Sequence, residues 1–459
     1  MRIAPRSTRR RRFRDGKAGK RGRGYKSRSP AICPICFNMN DAPRQLILQG
    51  LLFEAGEGNF HHHGEPLKKS PSLIYNGEET DNELSSMSPT MSSPEPAAFP
   101  AAPHIKLVYS REKFANVPLP DRVSNYPELR YMGSKRRLLP WIHGVLRTLP
   151  FETAADPFVG SGCVAYLLKA MGKRVVASDF LNFPAVLAAA TLGNNTQTLD
   201  GPAVKKLLSP RSNGPHFIER TFEGIFYTPE DLRFLDRVSG NLETLALPAQ
   251  RALTRAALIR SCLKKQPRGV FTVSGDLSRY DDGRRDLRLS IEEHFIEQVE
   301  AFNRVVFDNG RRHTVKRADV FNLKPKGIDL VYLDPPYVPR SDDNCYIKRY
   351  HFLEGLSCYW KGQRIMEETR VKKIEKPYTP FSYRKSAIEA FDKLFRLYRD
   401  SIIVLSYSSN GFPDREELES LLRRYKTSVT AYEKPHRYHF GTHGGVERAE
   451  VNEYLIVGR

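Results

Sequence analysis

The hydrophobic pattern of this chain changes character along its length. Residues 1–28 are almost wholly polar and carry thirteen basic residues and one acid. Residues 64–104 are rich in Ser, Pro, Glu and Ala. Neither stretch can bury a core, and both predict disordered extension. From about residue 106 short apolar runs alternate with helix-like segments. Lys173–Asp179 (KRVVASD) reads as a strand ending in a carboxylate. So does Ile328–Leu333 (IDLVYL), which Pro335 and Pro336 must end. Ser401–Ser408 (SIIVLSYS) reads as a central strand, and Tyr425–Tyr432 and Glu453–Val457 as closing strands. Val164–Met171 and Pro184–Leu192 are helix-like between them. Strands alternating with helices predict an α/β fold of Rossmann type.

Three segments fall at predicted strand ends, where open α/β sheets bind ligands. Asp334-Pro335-Pro336-Tyr337 follows the second strand. A carboxylate, two rigid residues and a ring suit a planar base carrying an exocyclic amine. Asp334 and the Pro335 carbonyl accept the amine hydrogens, and Tyr337 stacks on the base. The competing reading is a strand-ending turn with a structural Asp. Asp156-Pro157-Phe158-Val159-Gly160-Ser161-Gly162-Cys163 precedes a helix. Its glycines suit close backbone approach to a ligand, and Asp179 lies where a Rossmann fold puts its ribose acceptor. The pattern is neither G-x-G-x-x-G nor G-K-[ST], which favours a nucleoside cofactor without pyrophosphate; S-adenosylmethionine fits. Asp319 ends a further short strand and suits an adenine amine, although a lone Asp there is also a common turn former. Upstream, Tyr131-Met132-Gly133-Ser134-Lys135 offers a ring, a glycine and a cation that can pack beside a cofactor and meet its carboxylate; alone, it reads as a basic helix start.

In this order the four segments resemble the D12 class of DNA adenine N6-methyltransferases, the family of the Dam enzymes. The resemblance runs from about Tyr126 to Val457. It implies a Rossmann-like S-adenosylmethionine-dependent sheet with an inserted target-recognition region. It implies cofactor contacts at Tyr131, Gly133, Lys135, Asp156, Phe158, Gly160, Gly162, Asp179, Asp319 and Asp334, and a catalytic grip on adenine by Asp334, Pro335, Pro336 and Tyr337. Tyr350–Glu354 resembles a family segment near the active-site rim. Tyr131 stands where Dam has Trp, so the Dam target sequence does not transfer. The implied setting is the cytoplasm of a bacterium or archaeon, or a phage, with double-stranded DNA as partner and a cognate restriction endonuclease as a candidate second one.

The reaction read from these residues is a direct displacement at the amine, with the base flipped out of the duplex at a cost of a few kcal/mol. No cysteine nucleophile is needed, and Cys163 and Cys345 read as structural. Three alternatives stand beside this reading. Cytosine-N4 enzymes usually carry Ser in place of Asp334. A structured-RNA enzyme should carry an added RNA-binding module. A catalytically silent DNA-binding protein should have lost part of the motif set.

Charge supports a nucleic-acid partner. The chain holds 73 Lys+Arg against 52 Asp+Glu, net +21. Residues 1–28 carry +12 and residues 29–100 carry −6, which leaves +15 for residues 101–459. Such a basic chain binds phosphates by counterion release.

The domain reading is 1–105 as the basic arm and extension, and 106–459 as the methyltransferase domain. Within it, 195–312 is the candidate target-recognition insertion, because the roughly 125 residues between Leu192 and the next motif exceed what a βαβ unit needs. Arg251–Arg260 predicts a basic amphipathic helix. Arg260, Lys264, Lys265, Arg268, Arg279, Arg284 and Arg285 are the candidate DNA contacts, with a solvated loop as the competing reading.

Cys33 and Cys36 form half a zinc pattern, and His61–His63 lack a standard ligand spacing; no metal is expected. Six cysteines without dense spacing fit a reducing compartment. No signal-peptide pattern and no run of 18 apolar residues occurs, so no membrane association is expected.

Overall fold

Apolar residues on both sides of a strand demand cover on both faces of its sheet. The strand before the D-P-P-Y segment meets that demand. Leu330 and Tyr332 join one buried cluster, while Val331 and Leu333 join another. The computed structural model describes residue 114 and residues 117–210, 214–267, 269–272, 283–338, 346–437 and 450–459. The N-terminal arm, the Cys33/Cys36 pair, the three histidines, Arg268, Arg279 and Cys345 lie outside the described residues.

Nine strands are described: β1 (Thr153–Asp156), β2 (Arg174–Asp179), β3 (Thr314–Arg317), β4 (Leu330–Leu333), β5 (Ile365–Met366), β6 (Lys373–Ile374), β7 (Ile402–Ser408), β8 (Val429–Arg437) and β9 (Glu450–Gly458). Seven form one sheet in the order β3-β2-β1-β4-β7-β9-β8. β3, β2, β1, β4 and β7 run parallel, and β9 runs antiparallel between β7 and β8. β5 and β6 form a separate antiparallel hairpin. Progression reverses between β1 and β4, so a crevice opens at their C-terminal ends. The tips of β1 and β4 carry Asp156 and Asp334, and Asp179 closes β2 beside them.

The helices cover the sheet as their apolar spacing requires. Cys163–Ala170 links β1 to β2 and buries Val164, Leu167 and Leu168. Arg384–Leu397 and Arg415–Arg423 cover the opposite face through Phe391, Leu394, Leu418 and Leu422. No described helix is long and apolar enough to cross a membrane.

The interval between β2 and β3 is helical, including Gly201–Leu208, Pro229–Asn241, Pro248–Lys265 and Ile291–Asn303. Leu235, Leu253, Ile259 and Phe295 there belong to the same cluster as Leu330 of β4. This interval therefore shares the core of the sheet. The amphipathic expectation for Arg251–Arg260 needs correcting. Helix Pro248–Lys265 buries Ala252, Leu253, Thr254, Ala256, Ala257, Leu258 and Ile259, which leaves no broad basic face. Small Ala and Thr side chains let neighbouring helices approach from several sides.

Candidate active site

The D-P-P-Y segment leaves β4 at the sheet's crevice. Asp334 and Pro336 line a cleft there with Tyr131, Lys135, Asp156, Gly160, Asp179 and Asp319. Gly133 and Phe158 also line it. Of the expected cofactor residues, Gly162 does not. Its positive φ of 78° makes the turn into helix Cys163–Ala170, and a Cβ there would overlap the Tyr126 hydroxyl. That hydroxyl donates to the Ser161 carbonyl at 2.7 Å. The glycine makes room for a tyrosine rather than for a ligand.

Gly160, at φ 49°, donates its backbone N–H to Asp179 Oδ2 at 2.9 Å. Asp179 Oδ1 accepts from the Leu181 N–H at 2.9 Å. The carboxylate thus braces the glycine loop while facing the cleft. Burial pushes its acid up to about 7, although the two N–H donors oppose the rise. Asp319 lies two residues past β3, not at its end. Its Oδ1 accepts from the Phe321 N–H at 2.9 Å and caps a short 3-10 turn. Turn former and cleft wall are therefore the same residue. Phe321 stacks on Phe381 at 5.9 Å, and Phe158 meets Phe381 edge-on at 5.5 Å.

Lys135 is buried, and its ammonium lies 2.8 Å from Asp334 Oδ1. It also donates to the Gly133 carbonyl at 3.2 Å. A cofactor carboxylate would have to share this cation. Asp334 itself is 18% exposed, open enough to meet a ligand. Burial pushes its acid up to about 6; Lys135 opposes the shift, and the charge of Glu453 adds to it. Tyr337 does not line the cleft. Its hydroxyl lies 3.1 Å from Glu453 Oε2 and 3.4 Å from Asp334 Oδ1. Its ring packs edge-on against Tyr407 at 4.8 Å.

Asp156 is 1% exposed, and its Oδ1 has no hydrogen-bond partner. Burial first, then the Asp334 charge, holds its acid well above the usual carboxylate range. An unsatisfied buried acceptor facing a cleft suits a cationic ligand. Burial also raises the Cys163 thiol, which accords with a structural role.

Several site residues escaped the sequence reading. Tyr346 and Tyr350 stack on Tyr131 at 5.5 and 5.2 Å, and Tyr350 accepts the Met132 N–H at 2.7 Å. Tyr350 stood only within the rim segment. Pro377, Thr379, Pro380 and Phe381 close the cleft from beyond the β5–β6 hairpin. Glu453 stood only within a closing strand. Its signal was a lone acid at an inward position of an apolar strand. Glu354, also in the rim segment, accepts from the Asn182 and Phe183 N–H groups and anchors helix Asn182–Thr191.

The candidate DNA contacts are engaged within the chain. Arg260 donates to the Glu128 carbonyl at 3.0 Å and also reaches Gln298. Lys264 pairs with Asp286 at 2.9 Å, and Lys265 with Asp231 at 3.0 Å. Arg284 donates to the Pro267 carbonyl at 2.8 Å, and Arg285 pairs with Glu297. Only Arg285 of these five is exposed.

The family model of D12 class N6 adenine-specific DNA methyltransferases matches residues 131–408, more than half of the chain. This chain belongs to that family. It is 32% identical over 330 residues to the type II methyltransferase M2.HphI of Haemophilus parahaemolyticus, covering 68% of this chain and 92% of the relative. It is 26% identical over 361 residues to the type II methyltransferase M.FokI of Planomicrobium okeanokoites, covering 72% and 52%. The modification methylase LlaI of Lactococcus lactis is 22% identical over 345 residues, covering 71% and 51%. The chain spans about half the length of these last two. As a D12 methyltransferase, the enzyme acts on adenine N6 in DNA and requires a methyl donor. Family membership decides among the acceptors weighed above. The matched span covers β1, β2, β3, β4 and β7, with the glycine loop and the D-P-P-Y segment.

Proposed function

We propose that the methyl donor is S-adenosylmethionine, held in the strand-tip cleft, and that the acceptor is an adenine flipped out of duplex DNA. The observation that carries this reading is the set of carboxylates on one cleft, with Asp156 Oδ1 buried and unpartnered. A ligand with a sulfonium and an ammonium group matches such a site electrostatically. Asp179 would accept from a ribose hydroxyl and Asp319 from an adenine amine, with Phe158 and Phe321 as apolar walls of the cleft. When bound, the donor supplies an electrophilic methyl group.

The chain's residues prepare the nucleophile. The adenine amine is weak because its lone pair is delocalised into the ring. Asp334 and the Pro335 carbonyl accept its two hydrogens, which favours a pyramidal nitrogen with an aimed lone pair. Lys135 favours the ionised form of Asp334, which is the stronger acceptor and offers the amine no competing hydrogen. Tyr337 stacks on the base while its hydroxyl stays on Glu453 and its ring beside Tyr407. The helical insertion 195–312 contributes to target recognition, and a cognate endonuclease is the candidate partner.

Modified-base sequencing of DNA from a methylase-free host expressing the chain tests this reading. The expected result is N6-methyladenine in one short context, absent with Asp334→Ala. Full methylation by Asp334→Ala protein would sink the proposed grip. Soluble protein that fails to bind S-adenosylmethionine would sink the cofactor assignment.

A further inference from the structure

Glu453 has no part in the chemistry above, yet it stands against it. The inward positions of β9 are Val451, Glu453, Leu455 and Val457, all buried. An acid interrupts an otherwise apolar stripe. Burying a carboxylate in a sheet interior is unfavourable without hydrogen-bonded compensation, so its presence calls for a cause. Stability alone would be met by Val or Leu.

The contacts supply that cause. Glu453 Oε2 accepts the Tyr337 hydroxyl hydrogen at 3.1 Å. The same hydroxyl oxygen lies 3.4 Å from Asp334 Oδ1, which lies 2.8 Å from the Lys135 ammonium. That ammonium sits 5.0 Å from the centre of the Tyr337 ring. Three chain segments separated by more than a hundred residues thus meet in one polar chain at the reacting end of the cleft. A tyrosine hydroxyl has one hydrogen. Given to Glu453, it fixes the ring's rotation and leaves Asp334 Oδ1 to Lys135.

We propose that Glu453 is a positioning residue for methyl transfer: by holding the Tyr337 hydroxyl, it sets where the Tyr337 ring and the Asp334 carboxylate stand toward the target adenine. This rests on the reading of Asp334 and Tyr337 as the grip on the base. Other groups also act on Asp334. Lys135 faces it from the turn before the first sheet strand, and Asp156 from the tip of β1. Tyr131, Cys163, Tyr332 and Tyr346 lie within its field. Glu453 is opposite Ser408 of β7 and Lys434 of β8 in strand register. Its negative charge works against ionised Asp334, while Lys135 works for it.

The test uses the full chain as Glu453→Gln, Glu453→Ala, Tyr337→Phe and the Glu453→Ala/Tyr337→Phe double variant. Glu453→Ala should lower kcat roughly 10- to 100-fold with little change in KM for DNA, the size of a misplaced reacting group. Glu453→Gln should recover most of that loss, since its amide oxygen still accepts from Tyr337. Both should move the acid limb of the kcat profile to lower pH, because a negative neighbour of Asp334 is gone. The double variant should be no slower than Tyr337→Phe alone.

Unchanged kcat in Glu453→Ala, or losses that multiply in the double variant, would overturn the proposal. Equal losses in the Gln and Ala variants with an unmoved acid limb would make Glu453 a fold residue only. If the Ala variant does not fold, the pH profile of the Gln variant decides alone. A fully active Asp334→Ala enzyme would remove the underlying reading, whereas a dead Asp334→Ala beside wild-type-like Glu453 variants would remove this inference only.

Discussion

At the strand tips, Asp156, Asp179 and Asp334 share one cleft with buried Lys135, and the acids of all three are pushed up. In the helical interval between β2 and β3, Lys264 shares Asp286 with Arg130 from outside it, Lys265 meets Asp231, and Arg237 meets Glu292. The first region keeps charge short of partners; the second matches it. Charges left in electrostatic need are available to a ligand, while matched charges hold the fold. In a chain of net charge +21, the ligand cleft is nevertheless the acidic place. The basic residues of the insertion include several that its own acids have claimed.

The contrast can be broken most sharply at Asp334. Asp334→Ala should lower kcat by about 10³-fold or more, since one of the two amine hydrogens then loses its charged acceptor. Calorimetric binding of S-adenosylmethionine should survive largely intact. A variant within tenfold of wild type would put the chemistry elsewhere.

The insertion should answer in stability. Lys265→Met leaves Asp231 buried without its cation, at a cost of roughly 3 kcal/mol. Urea unfolding should register that loss while kcat of the folded enzyme stays unchanged. An unchanged midpoint would mean that the pair contributes nothing to the fold.

A smaller effect comes from pH. Asp334 accepts most strongly when ionised, and burial pushes its acid up to about 6. The turnover rate should therefore fall about tenfold per unit as pH drops below that value. Lys135→Met removes the charge that favours ionisation, so the acid limb should move to higher pH. A limb that moves down, or stays, would detach Lys135 from Asp334 function.

The smallest effect belongs to Arg285, which is exposed and pairs with Glu297. Arg285→Ala should leave the unfolding midpoint unchanged. If Arg285 meets a phosphate, the salt dependence of DNA binding should lose about one unit of slope. An unchanged slope would give the residue to the matched set.

What was legible in the chain follows the same division. That Asp334, Pro336, Gly160 and Asp179 line one cleft was legible, because each lies within a few residues of a strand end and the crevice rule for parallel sheets brings those ends together. Tyr346 and Phe381 were not readable as cleft residues, because each reaches the cleft only through packing of distant segments, and Glu453 meets Tyr337 across 116 positions. The insertion misled for a related reason. Arg260 and Lys265 look like surface charge in one dimension, and only the fold brings Gln298 and Asp231 to them.

The sheet order also bears on how the chain is made. β9 lies between β7 and β8, yet it follows both in sequence. As the polypeptide emerges, β7 presents an unpaired edge throughout the synthesis of β8, and such edges invite pairing with other chains. The sheet closes only when β8 and β9 fold back as a hairpin and β9 enters the gap. Glu453 travels on that strand, so a sheet element that follows β7 and β8 in sequence brings Tyr337 a hydrogen-bond acceptor.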